Sequence, residues 1–197
     1  EAMLAGAVTD STGGVLPGVT VTATHGASGN TFLAVTDERG AYRLPVRTGT
    51  LPNGLRYFIR QNERPDNRLL LRLAVKAGSL DEADDQRGLA HFVEHMAFNG
   101  SDHFAPGELI SFFESTGARL GPHVNAYTGF EETVYMLEVP TDRSEVVTRG
   151  LTAMADFAGG LSFDAEQVER ERGIVIEEWR GRLGASSRIT DQQVPVL

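Results

Sequence analysis

The chain has 197 residues, 41% of them hydrophobic and 23% charged, an ordinary globular composition with room for one good-sized domain or a domain plus a small module. A formal net charge of −9 argues against a nucleic-acid partner, which needs clustered Lys and Arg, and no apolar run approaches the roughly 20 residues of a transmembrane helix. Cysteine is absent, which excludes a disulfide framework and a thiolate metal site and decides no compartment.

Residues 1–48 read as strands. Val19, Val21 and Ala23 alternate with Thr20, Thr22 and Thr24, a period of two with β-branched residues, after the turn-forming Gly13-Gly14 and Pro17-Gly18. Phe32 to Thr36 and Ala41 to Leu44 flank Asp37-Glu38-Arg39-Gly40, which predicts a hairpin with Gly40 at positive φ. The run from Gly6-x-Val8-x-Asp10 through Leu16-Pro17-Gly18-Val19 to Thr36-Asp37-Glu38-x-Gly40-x-Tyr42 resembles the carboxypeptidase-regulatory-like β-sandwich module. The resemblance implies a partial β-sandwich over 1–48, because the pattern changes character after Gly49.

From residue 50 the pattern is mixed. Strands are expected at 55–59 and 68–75, helices at 89–98 and 107–115, a strand pair at 124–128 and 133–139, and helices at 143–157 and 164–180. Strand pairs beside helix pairs predict an α+β domain over 50–197, with helices packed on one face of an antiparallel sheet. The chain starts at Glu1 without a signal-peptide pattern, so either a signal has been removed or the chain is a fragment; the C-terminus stops without capping or tail chemistry, and the peptidase portion is expected to be incomplete there.

The chemistry concentrates in His91-Phe92-Val93-Glu94-His95. At about 100° per residue, His91 and His95 lie roughly 40° apart on a helix, and Glu94 falls about 60° to the other side of His91. Leu89, Phe92, Val93 and Met96 are left on the opposite face to supply the core contact. Two histidines one turn apart suit a single zinc ion, with Glu94 placed to take a proton from water rather than to ligate. This is H-x-x-E-H, the reverse order of the commoner H-E-x-x-H. Three fixed positions fit two solvated histidines on an amphipathic helix equally well.

A zinc site needs a third protein ligand, which without cysteine must be His, Asp or Glu. On the helix at 164–180, Val175 and Trp179 fall within about 20° of Val168, and Glu171 and Glu178 share the edge of that apolar stripe. Glu177 points away. Either Glu171 or Glu178 is therefore a candidate, while ion pairs of both with Arg170, Arg172 or Arg180 would serve equally.

His91 to Gly100 (HFVEHMAFNG) and Glu169 to Trp179 (ERERGIVIEEW) resemble the two metal-binding segments of the pitrilysin/insulinase family of zinc metallopeptidases, across about three quarters of the chain. The Glu-Glu-Trp at this site is similar to that of the family's bacterial branch. The separation from His95 to Glu178 is 83 residues (178 − 95), a few more than in the insulinase and mitochondrial-processing branches. The resemblance implies His91, His95 and Glu178 as ligands of one zinc ion and Glu94 as general base. Glu171 becomes the second functional carboxylate and the candidate hydrogen-bond partner of one histidine. The segment 121–128 resembles the family's edge strand, which implies that Asn125 and Ala126 bind an extended peptide. His25, His103 and His123 are left outside the metal set.

The implied activity is hydrolysis of peptides or unfolded segments. Because the family's enzyme is a clamshell of two halves, efficient turnover is expected to need the missing C-terminal half or a partner subunit. The resemblance also implies a bacterial periplasmic or secreted location. The alternative is a non-catalytic peptide-binding or structural subunit of the same fold.

Overall fold

The computed structural model describes residues 2–24, 31–60, 62, 64–184, 189 and 192. It divides into two compact units, Glu1–Pro65 and Asp66–Leu197. His25, left outside the metal set above, lies outside the described residues.

The first unit is all β: β1 (Ala2–Ala7), β2 (Thr20–Thr24), β3 (Thr31–Val35), β4 (Ala41–Thr50) and β5 (Arg56–Ile59). One antiparallel sheet has the order β1-β4-β5, and β2 pairs with β3 in a second. The predicted turn at 37–40 is present, with Gly40 at φ 68° and Asp37 Oδ1 accepting from Arg39 N and Ala41 N at 2.9 Å and 3.0 Å. The strands it joins are not a ladder pair, however, because β3 and β4 belong to different sheets. Thr36 explains the divergence. Its N donates to Val19 O, and its hydroxyl donates to Leu16 O and accepts from Val19 N, which draws the end of β3 toward 16–19. The change of sequence character at Gly49 falls inside β4, where Gly49 pairs with Tyr57 of β5.

The second unit contains β6 (Arg68–Val75), a 3₁₀ turn at Ser79–Asp81, α1 (Leu89–Met96), α2 (Glu108–Ser115), β7 (Val124–Thr128), β8 (Thr133–Pro140), α3 (Ser144–Gly159) and α4 (Ala165–Arg182). Its sheet is antiparallel in the order β6-β8-β7. Strand alternation sets which side faces the helices. Leu69, Leu71, Leu73 and Val75 of β6 pair with Val139, Leu137, Tyr135 and Thr133 of β8, and Val124, Ala126 and Thr128 of β7 complete the same face. That face carries the core, joined by Phe104, Leu109, Phe113, Val146, Ala153 and Phe157. At Gly150 of α3 a Cβ would lie 3.2 Å from Leu71 Cδ1, so the helix sits close on the sheet. The expected α+β class with helices on one face of an antiparallel sheet is the observed one.

Helix α4 begins where its signals place it, with Asp164 Oδ1 accepting from Glu166 N and Gln167 N at 3.0 Å and 3.2 Å. Its inward face differs from the expected apolar stripe. Trp179 stays 60% exposed and Ile174 and Ile176 stay exposed, whereas Glu171 is the buried residue. Glu171 and Glu178 turn inward to meet polar groups of α1, Val168 and Val175 of the expected stripe stay half-buried, and Trp179 turns out.

Candidate metal centre

Helix α1 is held at both ends by polar groups. Gly88 precedes it at φ 94°, and the Glu82 carboxylate accepts from Gly88 N and Ala90 N, both at 2.7 Å. These satisfy donors that a helix start leaves unpaired, and a negative charge there complements the helix dipole. At the far end Asn99 Nδ2 donates to His95 O at 3.0 Å. Gly100 follows at φ 123°, where a Cβ would lie 2.8 Å from Ser162 Oγ. The apolar side of α1 is only partly covered. Met96 is buried and Phe92 half-buried, but Leu89 and Val93 remain largely exposed, contrary to the expected full core face. With Val75, Ala77, Tyr135 and Phe157 they line an open apolar hollow.

On the polar side, His91 Nε2 and His95 Nε2 lie 3.0 Å apart with their rings nearly perpendicular, at 87°. Glu178 Oε2 from α4 is 3.3 Å from His95 Nε2 and 3.7 Å from His91 Nε2. A tetrahedral ion with bonds of 2.0–2.1 Å keeps its ligand atoms roughly 3.3–3.4 Å apart. The three distances bracket that value, so these half-buried side chains fit a single ion with little rearrangement.

Behind the cluster, Glu171 Oε1 lies 2.7 Å from His95 Nδ1, and Asn99 Nδ2 donates to Glu171 Oε2 at 2.9 Å. The carboxylate only accepts, so Nδ1 of His95 carries the proton and Nε2 presents its lone pair to the cluster. Glu171 is 7% exposed, and both its oxygens are paired, as a buried carboxylate requires.

Glu94 shares the helix but stands apart from the three ligand atoms. Its Oε2 accepts from the Thr128 hydroxyl at 2.6 Å, on the sheet's helix-facing side at the end of β7. Burial first, and then the Glu94 charge, push the Tyr135 hydroxyl up to about 12.

Of the three arginines considered for Glu171 and Glu178, Arg172 pairs with Glu169 and Arg180 with Glu177. Glu178 does have an arginine partner, with Arg182 on Oε1 while Oε2 faces the histidines. Glu177 points to solvent with its side chain 70% exposed. Asn125 is exposed and on the opposite side of β7 from Thr128, its Oδ1 accepting from Ala126 N at 3.0 Å. Ala126 is half-buried opposite Tyr135, and β8 is the one strand paired with β7 among the described residues. His123 Nδ1 accepts from Arg119 N at 3.1 Å, and His103 pairs with Asp156, so neither joins the cluster. Sequence reasoning missed Glu82, Asn99 and Thr128. Only Asn99 carried a local signal, one helical turn beyond His95.

A sequence model described as Insulinase (Peptidase family M16) matches residues 57–191, and one described as Carboxypeptidase regulatory-like domain matches residues 3–52. The zinc protease PQQL-like of Arabidopsis thaliana is 43% identical over 143 residues, covering 73% of this chain and 15% of that protein. The probable zinc protease PqqL of Escherichia coli K12 is 39% identical over 150 residues, covering 76% of this chain and 16% of that protein. The crystal structure of the first half of the periplasmic protease PqqL from Escherichia coli aligns with a TM-score of 0.70 and 39% identity, over 74% of this chain and 31% of that one. The chain thus spans less than a fifth of the length of these curated relatives.

Proposed function

The chain belongs to the insulinase family, peptidase family M16, and from that premise we propose that its second unit is the zinc-binding catalytic portion of an endopeptidase acting on peptides or unfolded segments. The observation that carries this reading is the convergence of His91 Nε2, His95 Nε2 and Glu178 Oε2 beside a carboxylate, Glu94, that is not itself part of the cluster.

In this reading one ion is held by those three side chains. When bound, zinc supplies a Lewis acid that polarises a carbonyl and brings the pKa of a water molecule toward about 7. Glu94 takes the proton of the attacking water and returns it to the leaving amine. The Thr128 hydroxyl occupies Oε2 of Glu94 and leaves Oε1 to carry that proton. Glu171 keeps His95 in the tautomer that offers Nε2. The edge of β7 at Asn125 and Ala126 receives the substrate as an added strand. The β module is read as residues 1–48 and the peptidase portion as 50–197, a division supported by the two sequence models, which match 3–52 and 57–191, although β5 folds with the first unit, which runs to Pro65. Efficient turnover needs a second half, a requirement supported by the description of the E. coli relative's structure as a first half. That relative's description as periplasmic supports the same location here.

Two measurements test this. Purified chain, dialysed after zinc loading, should retain one zinc per molecule; a value near zero overturns the ligand set. Glu94→Gln should keep the zinc and lose hydrolysis in the protein completed by its second half. Peptide cleavage at a full rate by the 197-residue chain alone would overturn the need for that half.

A further inference from the structure

Asn99 neither faces the ligand cluster nor reaches the Glu94 carboxylate, yet its side chain sits at the junction of the two helices that supply every candidate ligand. The geometry points to Asn99 as a positioning residue for metal binding: it fixes Glu171, and through Glu171 the ring of His95. This rests on the zinc reading of the cluster.

Asn99 N donates to Met96 O at 3.0 Å, which carries the last turn of α1 on to Asn99. From there Nδ2 has two acceptors, His95 O at 3.0 Å and Glu171 Oε2 at 2.9 Å. Both partners can only accept, so the amide must present its NH₂ to them and its orientation is determined. Glu171 Oε1 is engaged with His95 Nδ1 at 2.7 Å. The hydrogen bonds therefore form a closed circuit, from the ring of His95 to Glu171, to Asn99, and back to the carbonyl of His95. Rotation of the ring, of the carboxylate or of the amide breaks at least one bond of the circuit.

The arrangement of α4 makes this circuit matter. Glu171 is the buried residue of that helix, and the apolar Ile174, Ile176 and Trp179 face away from the contact with α1. The carboxylate thus ties α4 to α1 about two helical turns before Glu178, with Val168 and Val175 half-buried on the same helix. Without the Asn99 donor, Glu171 Oε2 becomes an unpaired buried carboxylate oxygen, a costly state that rotation away from Nδ1 would relieve. His95 would then lose its fixed tautomer, and Glu178 its set distance from the two histidines.

A simpler role is also available to Asn99, that of ending α1 through the His95 carbonyl. A double-mutant cycle separates the two. Zinc affinity of the 197-residue chain is measured by competition with a chromophoric chelator for wild type, Asn99→Leu, Glu171→Ala and the double variant, with apo-protein melting as a control. Asn99→Leu is expected to weaken zinc binding by about 10–100-fold, as loss of a ligand's hydrogen-bond partner does. In the Glu171→Ala background the same change should cost less than about 2-fold, because coupled residues are not additive. The downfield Nδ1 proton resonance of His95 should be present in zinc-loaded wild type and lost in Asn99→Leu. Equal losses in both backgrounds would reduce Asn99 to a helix end and overturn the inference. Should Asn99→Leu not fold, Asn99→Asp replaces the donor with an acceptor in nearly the same shape and should lose affinity as much; wild-type affinity in that variant also overturns it. Failure of wild type to bind zinc would overturn the zinc reading itself, a distinguishable result.

Discussion

Two buried carboxylates in the second unit each hold a histidine by Nδ1, and only one of the two histidines belongs to the candidate ligand cluster. Glu171 lies 2.7 Å from His95 Nδ1, and Asp156 lies 2.8 Å from His103 Nδ1. Each carboxylate also takes a neutral donor, Asn99 Nδ2 for Glu171 and the Ser101 hydroxyl for Asp156, at 2.9 Å and 2.6 Å. The difference lies at the other end of the ring. The side chain of His103 is 65% exposed and that of His95 20%, with Nε2 of His95 facing His91 and Glu178. A buried carboxylate–imidazole pair is by itself a device for holding chain segments together. It becomes part of a metal centre where the second ring nitrogen meets other ligands.

The Asp156 site does hold segments together. His103 N also donates to Asp156, Asp102 N donates to Gly160 O, and Ser162 N donates to Gly100 O. These bonds tie the residues just after α1 to the stretch that leads into α4. One carboxylate thus sets where α4 starts relative to α1, and the other sets how α4 lies against the histidines.

Substitutions should separate the two roles. The largest effect is expected from His95→Ala, which removes a proposed ligand and the partner of Glu171 together; zinc retention after dialysis should fall below detection. His103→Ala should leave zinc content at the wild-type value. Next is Glu171→Gln, which keeps the shape but removes the charge that orients His95, and should weaken zinc binding by about 10–100-fold. Asp156→Asn should change zinc affinity far less and stability more. The loss of a buried charged acceptor costs roughly 1–3 kcal/mol, read as a lower Tm of the metal-free chain. If Asp156→Asn instead weakened zinc binding as strongly as Glu171→Gln, the division between the two carboxylates would fail.

The legible part of this arrangement was the part written along one helix or strand. His91, Glu94 and His95 share a face because 3.6 residues make a turn, and the strands of the second unit show in their alternation. The helical wheel narrowed α4 to Glu171 and Glu178, but the choice between them came from the family resemblance. The same wheel put Trp179 toward the core, because apolar periodicity assumes that a helix docks by its apolar side. Here the buried residue of the helix is a carboxylate, and that depends on His95 and Asn99, which are 76 and 72 residues from Glu171. Thr128 on Glu94 is likewise a contact over 34 residues, and Glu82 at the start of α1 comes from a loop without periodicity. β1 lacks an alternating β-branched pattern and is defined by its pairing with β4. Turn chemistry at 37–40 was readable, whereas the sheet each flanking strand joined depended on Thr36 and residues 16–19.

The smallest expected effect is a pH dependence, and it sharpens the comparison because it isolates charge from shape. Burial pushes the Asp156 carboxyl up, but the hydrogen bonds from the Ser101 hydroxyl and from His103 together outweigh it and hold the group below its ordinary value. A carboxyl whose pKa is lower in the folded than in the unfolded chain adds stability above the unfolded value, about 3.9, and loses it as the pH falls through the folded value. Metal-free wild type should therefore exceed Asp156→Asn in Tm at pH 6, and the gap should narrow as the pH is taken below about 4. Other carboxylates titrate in the same range, but they do so in both proteins and cancel from the difference. A gap that stayed constant to the lowest pH at which both proteins fold would show that Asp156 holds Ser101 and His103 by shape and hydrogen bonding alone. The two carboxylate–histidine sites would then differ in the kind of interaction as well as in what the second ring nitrogen meets.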